Sequence, residues 1–325
     1  MPLKSRNRGS QPLAPPTRAM PPWRGAWVCH FAVHPLQTPA LQTPALQTSA
    51  LQAPALRVHA LAALALTALA LLPGCSTLAP RSGAKVLIAS DSTAAQYAPG
   101  RWPQMGWGML VQCSLDASVT VDNRARSGRS TRTFIAEGLF DALAEQTSPG
   151  DTVLIQFGHN DATVAKPERY ASPADYGANL RHFIAVVRER KAQPVLLTPV
   201  ALRKFENGRM VESHGEYSRV AREVAAQTHT PLIDLDTDSM AYFQSIAEEG
   251  SKKYYLHYTA ADHVPAFPAG ISDDTHFSEI GARAVAALIG RRLKELHIPL
   301  SKHVRPVKLD TLQAVGEPSC GGPRK

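Results

Sequence analysis

Along the last three-quarters of the chain, short apolar-rich runs alternate with stretches of helical spacing. Residues 85–89, 119–123, 152–157, 194–199 and 231–234 are the short runs, rich in Val, Ile and Leu. They read as strands buried on both faces. Between or after them, 133–145 (Phe134, Ile135, Leu139, Leu143), 176–190 (Leu180, Phe183, Ile184, Val187), 217–227 (Val220, Val224) and 278–296 (Ile280, Ala284, Leu288) carry one apolar face each, the mark of an amphipathic helix. Strand–helix alternation predicts a parallel sheet with helices on both faces. Five strands fit an α/β, three-layer α/β/α sandwich with a flavodoxin-like five-stranded parallel sheet, assigned to residues 85–300. Asn207-Gly208 inside 205–211 predicts a hairpin after the fourth strand. Residues 301–325 read as a C-terminal tail.

The first 84 residues follow no such pattern. Residues 36–55 repeat a five-residue Leu-Gln-Thr-Pro-Ala unit with variations, and its prolines rule out a helix and a packed core. Residues 60–72 are apolar apart from Thr67, with Arg57 ahead and Leu72-Pro73-Gly74-Cys75-Ser76 behind. That is short for a membrane span and right for the core of a signal peptide. The expected organisation is a low-complexity leader (1–57), a lipoprotein-type signal peptide (58–75) with Cys75 as the lipidation site, and a linker (76–84). A signal peptide starts at its charged end, so translation is expected to begin near residues 56–58. The chain is then exported to the bacterial cell envelope or periplasm, as a lipoprotein or in secreted form.

Charge follows the same division. The formal net charge is +8, but residues 1–84 hold seven of the 35 Lys/Arg and no acid, leaving 28 basic against 27 acidic residues beyond. The folded part is nearly neutral and has no nucleic-acid footprint. The cysteines, at 29, 75, 113 and 320, have no zinc spacing. Cys113 and Cys320 form a disulfide if the protein is exported, or stay free thiols.

Chemistry in a parallel sheet gathers at the carboxyl ends of its strands. Ser92, just past the first strand, is a candidate nucleophile there; alone it reads equally as a helix cap. After the second strand, Gly128 allows a backbone N–H to approach a ligand closely. After the third, Asn160 can offer its amide to a developing oxyanion. Before the last helix, Asp273 and His276 are three apart, so one turn of backbone can set both on one side. His276 can then take the serine proton while Asp273 orients the ring. Each fragment has a structural reading of its own: a turn, a loop, a surface histidine. Their conjunction in chain order favours catalysis.

The sequence Ser90-Asp91-Ser92-Thr93, Gly128, Gly158-His159-Asn160-Asp161 and Asp273-x-x-His276 resembles the four conserved blocks of the SGNH (GDSL) hydrolases, with Ser90 where the first glycine is usual. Gly106-Trp107-Gly108, Asn123-Arg124-Ala125, Gln156-Phe157, Thr198-Pro199-Val200, His214-Gly215-x-Tyr217 and Asp274-Thr275-His276-Phe277 extend the resemblance to the rhamnogalacturonan acetylesterase-like branch. By position, it implies Ser92 as nucleophile, His276 as base and Asp273 as its orienter, with Asp274 a rival. It implies an oxyanion hole made of the N–H groups of Ser92 and Gly128 and the Asn160 side chain. No metal and no cofactor is implied. The expected activity is a serine esterase removing acetyl groups from carbohydrate, such as acetylated pectin. Trp107, Arg129, His214 and Tyr217 are candidate substrate-binding residues, since aromatic faces stack on sugars and Arg pairs with uronates. A GDSL-type lipase or thioesterase, and a non-catalytic glycan-binding envelope protein, are the alternatives. A monomer is expected, with no nucleic-acid partner and membrane contact only through a lipid on Cys75.

Overall fold

The computed structural model of the chain describes residues 84–320. The segments expected to be leader, signal peptide and linker, Cys75 included, lie outside the described residues apart from Ala84. In chain order the elements are β1 (Ala84–Ser90), β2 (Val119–Asn123), α1 (Thr131–Ala136), α2 (Leu139–Gln146), β3 (Thr152–Gln156), α3 (Pro173–Glu189), β4 (Gln193–Leu197), β5 (Phe205–Glu206), β6 (Arg209–Met210), α4 (Glu216–Thr228), β7 (Leu232–Ile233), α5 (Leu235–Ile246), α6 (Glu248–Ser251), β8 (Tyr255–Tyr258), β9 (Ile271–Phe277) and α7 (Glu279–Glu295).

The central sheet is parallel throughout, in the order β2-β1-β3-β4-β7. This is the flavodoxin-like order, in which chain direction across the sheet reverses between β1 and β3. Side chains alternate across a strand, and β1 divides accordingly. Val86 and Ile88 pack into a core with Trp107, Val285 and Ile289 on one face. Leu87 and Ala89 pack against Phe134, Phe140 and Phe183 on the other. This two-sided burial explains why the strands read as continuous apolar runs.

The five predicted strands are all present. The helix expected over 133–145 is two helices, because Gly138 takes φ +65° between α1 and α2. Asn207 and Gly208 both have positive φ and join β5 to β6 as expected, the signature of a type I′ turn. The sequence reading missed α5, α6 and the antiparallel β8–β9 pair; α5 is short of apolar periodicity, with Asp236, Asp238 and Ser239 among its buried positions.

Beyond residue 300, the segment read as a tail is attached along the domain. Residues 301–320 lie against α7 and against Ser114–Asp116, just ahead of β2. Leu300 and Val304 are buried. The buried pair Glu279–Arg283 binds the segment's backbone: the Glu279 carboxylate accepts the N–H groups of Val315 and Gly316, and Arg283 donates to the carbonyls of Glu317 and Ser319. Cys113 and Cys320 form a disulfide. Such polar and covalent attachments leave no apolar period to read.

Candidate active site

The loops after β1, β2 and β3 and the hairpin leading into α7 surround a cleft of about 640 Å³, within the usual size of small-ligand sites. Ser92, Gly128, Asn160, Asp273 and His276 all line it. A second cavity, about 440 Å³, lies under the tail; its one charged wall residue, Arg283, is committed to Glu279.

His276 Nε2 is 2.9 Å from Ser92 Oγ, and its Nδ1 is 2.7 Å from Asp273 Oδ2. The carboxylate accepts, so Nδ1 carries the ring proton and Nε2 offers a lone pair to the serine hydroxyl. Burial pushes the Asp273 carboxyl up, but hydrogen bonds from the His276 ring and backbone outweigh it and hold the group at about 2.

The turn of backbone that achieves this is a bulge in a strand. Asp273 and His276 stand on β9, and residues three apart on a regular strand face opposite ways. Leu256 pairs with Asp273 and Tyr255 with Phe277, so Asp274, Thr275 and His276 bulge out against a single step of β8. Asp273 Oδ1 closes the bulge by accepting the N–H groups of Thr275 (2.7 Å) and His276 (3.0 Å). The rival Asp274 faces away from His276: its Oδ1 meets Arg203 Nη1 at 3.1 Å and His257 Nε2 at 2.8 Å.

Across the cleft, Gly128 has φ +79°, a conformation that suits glycine. Asn160 is buried, and its Nδ2 donates to the Arg129 carbonyl at 2.8 Å. That bond uses one of two amide protons and fixes the direction of the other. Arg129 therefore reaches the site through its carbonyl. Its side chain pairs with Glu137 at 3.0 Å and does not line the cleft.

Two of the other candidate sugar contacts belong to the interior. Trp107 is fully buried and donates Nε1–H to Gln156 Oε1 at 2.8 Å. Tyr217 is buried against Tyr176, and its hydroxyl donates to the Ala171 carbonyl at 2.8 Å, with the Asp161 carbonyl 3.2 Å away. Both are scaffold, because a large ring behind a strand end fills core volume. His214 does line the cleft, as a buried neutral ring: burial first, then repulsion from His159, pushes it well below the ordinary histidine value.

Beneath the serine lies a layer that sequence reasoning passed over. Gln156 Oε1 receives Trp107 Nε1–H and the Ser90 hydroxyl at 3.2 Å. Ser90 is the last residue of β1, fully buried, so the serine in the usual glycine position spends its hydroxyl on the core. Trp107 N–H donates to the Thr93 carbonyl. A side chain on Gly106 or Gly108 would strike the Ala94–Ala95 backbone, so the two glycines let this segment press against the nucleophile turn. Asp91, fully buried, accepts from Thr93 N–H and Oγ1–H, and faces His159 Nδ1 at 3.1 Å. His159 Nε2 is 2.9 Å from the Val200 carbonyl. Both ring nitrogens thus face acceptors, which only the doubly protonated ring satisfies. Burial pushes His159 down, but Asp91 outweighs it and raises the ring above 6.5; burial pushes Asp91 up, and the His159 charge and hydrogen bonds hold it below 3.8. The signal available in the sequence was the His159 neighbour of Asn160.

Among sheets that bear a serine–histidine–aspartate relay, this strand order, with the serine directly after the first strand and no Gly-x-Ser-x-Gly elbow, is that of the SGNH hydrolases. Residues 91–284 match the model of the GDSL-like Lipase/Acylhydrolase family. Similar chains from Bacillus subtilis are "Probable rhamnogalacturonan acetylesterase YesY", 37% identical over 67% of this chain and 96% of that one, and rhamnogalacturonan acetylesterase RhgT, 37% identical over 68% of this chain and 94% of that one. The crystal structure of Bacillus subtilis YxiM superposes with a TM-score of 0.58 at 28% identity, covering 67% of this chain and 58% of that one. The chain belongs to the GDSL-like lipase/acylhydrolase family, in its rhamnogalacturonan acetylesterase-like branch, and is a carboxylic ester hydrolase.

Proposed function

We propose that the protein is a serine acetylesterase that deacetylates carbohydrate, with acetylated rhamnogalacturonan or a related pectic glycan as substrate. The observation that carries the reading is the continuous relay Asp273–His276–Ser92 opening into the cleft. Ser92 Oγ attacks the acetyl carbonyl as His276 Nε2 takes its proton. The carbonyl oxygen becomes an oxyanion, held by the N–H groups of Ser92 and Gly128 and the free amide proton of Asn160. The C–O bond to the sugar breaks, and His276 returns the proton to the leaving sugar oxygen. Water then attacks the acetyl-serine with His276 again as base, releasing acetate and restoring Ser92. The similarity to rhamnogalacturonan acetylesterases over nearly their whole length supports the substrate class. The polar rim of the cleft, with Arg101, Gln104, Thr163, Arg169 and Ser213, favours a sugar over a long acyl chain.

The site is further proposed to work outside the cytoplasm, with Cys75 as a lipidated N-terminus, and in a monomer. The Cys113–Cys320 disulfide suits an oxidising compartment. Acetate release from acetylated pectin and xylan by wild type and by Ser92→Ala tests the function. Wild type is expected to release acetate and Ser92→Ala almost none. Most of the activity surviving in Ser92→Ala would refute the assignment. N-terminal sequencing of native protein tests the leader: a mature chain that keeps the Leu-Gln-Thr-Pro repeat would refute it.

A further inference from the structure

The charge of the cleft is unbalanced. Its walls carry two guanidinium groups, Arg101 and Arg169, against one carboxylate, Asp273, which is committed to His276. Arg101 donates to Gln104 Oε1 at 2.7 Å and lies over the Phe267 ring. Arg169 Nη1 stands 3.5 Å from the Gly128 carbonyl, the outer limit of a hydrogen bond, and its buried Nε has no acceptor among the described residues. Neither arginine has an acidic partner there. Just outside the cleft the pattern reverses: Arg124 pairs with Asp122, Arg129 with Glu137 and Arg203 with Asp274.

A guanidinium is always charged, and leaving a buried N–H of it unmatched is costly. A site that tolerates this next to the reacting centre is built for an oxygen anion brought by the substrate. Gly128 fixes where: Arg169 touches the same glycine that faces the acetyl carbonyl in the proposed reaction. The anion must therefore sit on the acetylated sugar or its neighbour in the chain. Acetate itself is the product of the reaction and does not meet this need. A uronic acid does, since its carboxylate suits the planar fork of an arginine.

We propose that Arg169, seconded by Arg101, is a specificity-determining residue that binds a uronate carboxylate, so that the enzyme selects acetylated uronic-acid glycans over neutral acetylated ones. The proposal rests on the acetylesterase reading above. The test measures kcat/KM for acetylated oligogalacturonides and for neutral acetylated xylo-oligosaccharides, at low and at moderate salt. Wild type is expected to prefer the anionic substrate, and that preference should shrink as salt screens the pair. Arg169→Met should lower the anionic-to-neutral ratio at least tenfold, and Arg169→Lys should keep part of it. A ratio unchanged in Arg169→Met, or both substrates falling in step, would make Arg169 a brace for the Gly128 loop and overturn the proposal. Should the variants not fold, the wild-type ratio decides: a value at or below one, or one indifferent to salt, overturns it. Acetate released from both glycans without charge preference defeats this proposal alone. Release from neither, with activity on p-nitrophenyl acetate intact, defeats the carbohydrate reading beneath it.

Discussion

Asp273→Asn changes the sign of one hydrogen bond while leaving the shape of the site nearly intact. The amide oxygen replaces Oδ1 and still accepts the N–H groups of Thr275 and His276 that close the bulge. The NH₂ group replaces Oδ2, 2.7 Å from His276 Nδ1, and presents a donor where a carboxylate accepted. The ring must then accept at Nδ1 and carry its proton on Nε2, which points at Ser92 Oγ from 2.9 Å. In that tautomer His276 cannot take the serine proton. The variant also loses the negative charge that stabilises the imidazolium as it forms. At about 4 Å and an effective dielectric near 20 that charge is worth about 4 kcal/mol, or roughly 10³ in rate.

The two losses act on one proton transfer and do not simply add. The expected fall in kcat is roughly 10³–10⁴-fold, the upper figure being that for a triad aspartate made neutral in a serine protease. The assay is kcat on a soluble acetyl ester, with urea unfolding as the control for folding. Asp274→Asn is the matched comparison. Its carboxylate serves Arg203 and His257, so its kcat should fall less than about tenfold, far short of the triad range. A fall of under tenfold for Asp273→Asn, or equal falls for the two variants, would refute the assignment of the orienting carboxylate. Because Asp273 is held at about 2, its charge is present from mildly acidic pH upward and is lost only as pH falls towards that value.

Asn160→Ala removes the one side-chain donor proposed for the oxyanion, and kcat should fall roughly 10²–10³-fold with a much smaller change in KM; a loss confined to KM would contradict an oxyanion role. Asp161 gives a pH dependence of stability. Burial lifts its carboxyl to about 7 against the Thr131 hydrogen bonds that lower it, and its Oδ2 is buried without a partner. Between 3.8 and about 7 the folded state holds a proton that the unfolded chain has released. Asp161 therefore favours folding below that window and loses its contribution as pH rises through it, on the order of 4 kcal/mol in all. Urea unfolding of wild type and Asp161→Asn at pH 4.5 and pH 7 should show the wild type losing ground to the variant at the higher pH; parallel behaviour would count against the buried acid. His159 should keep the imidazolium pattern in nitrogen NMR above pH 6.5, and a neutral ring at that pH would contradict the two-acceptor geometry.

What was legible in the sequence follows from how each feature is encoded. The sheet was legible because strands covered on both faces need apolar runs, and the buried centres of β1 (Val86–Ala89), β3 (Val153–Ile155) and β4 (Val195–Leu197) supply them, while the edge strand β2 keeps only Val119 and Val121. The reacting groups were legible because they are few and set beside elements the pattern had already located: Ser92, Gly128 and Asn160 follow strands, and His276 precedes the last helix. Asp273 was identified by its spacing from His276. The pair meets through a bulge against β8, and β8 had no signal of its own, because Tyr255, Leu256 and His257 are a short run with no turn residues to frame them.

The cleft wall was the part least legible, and the failures share a cause. Trp107 and Tyr217 have the chemistry of sugar binders, yet both rings are consumed by core packing and by hydrogen bonds to Gln156 and Ala171. Arg129 has the charge of an anion binder, yet Glu137, eight residues on, neutralises it. Side-chain type reports what a residue can bind; the residue's partners determine whether it is free to do so, and partners lie far apart in the chain. Arg169 illustrates the converse. Nothing near it in sequence distinguishes it from Arg132 or Arg129, and its importance lies in the acid that the fold does not place beside it. For the same reason Ser90 carries little weight for catalysis. Its hydroxyl is directed to Gln156 in the core, so restoring the usual glycine, Ser90→Gly, should alter stability far more than the rate at Ser92.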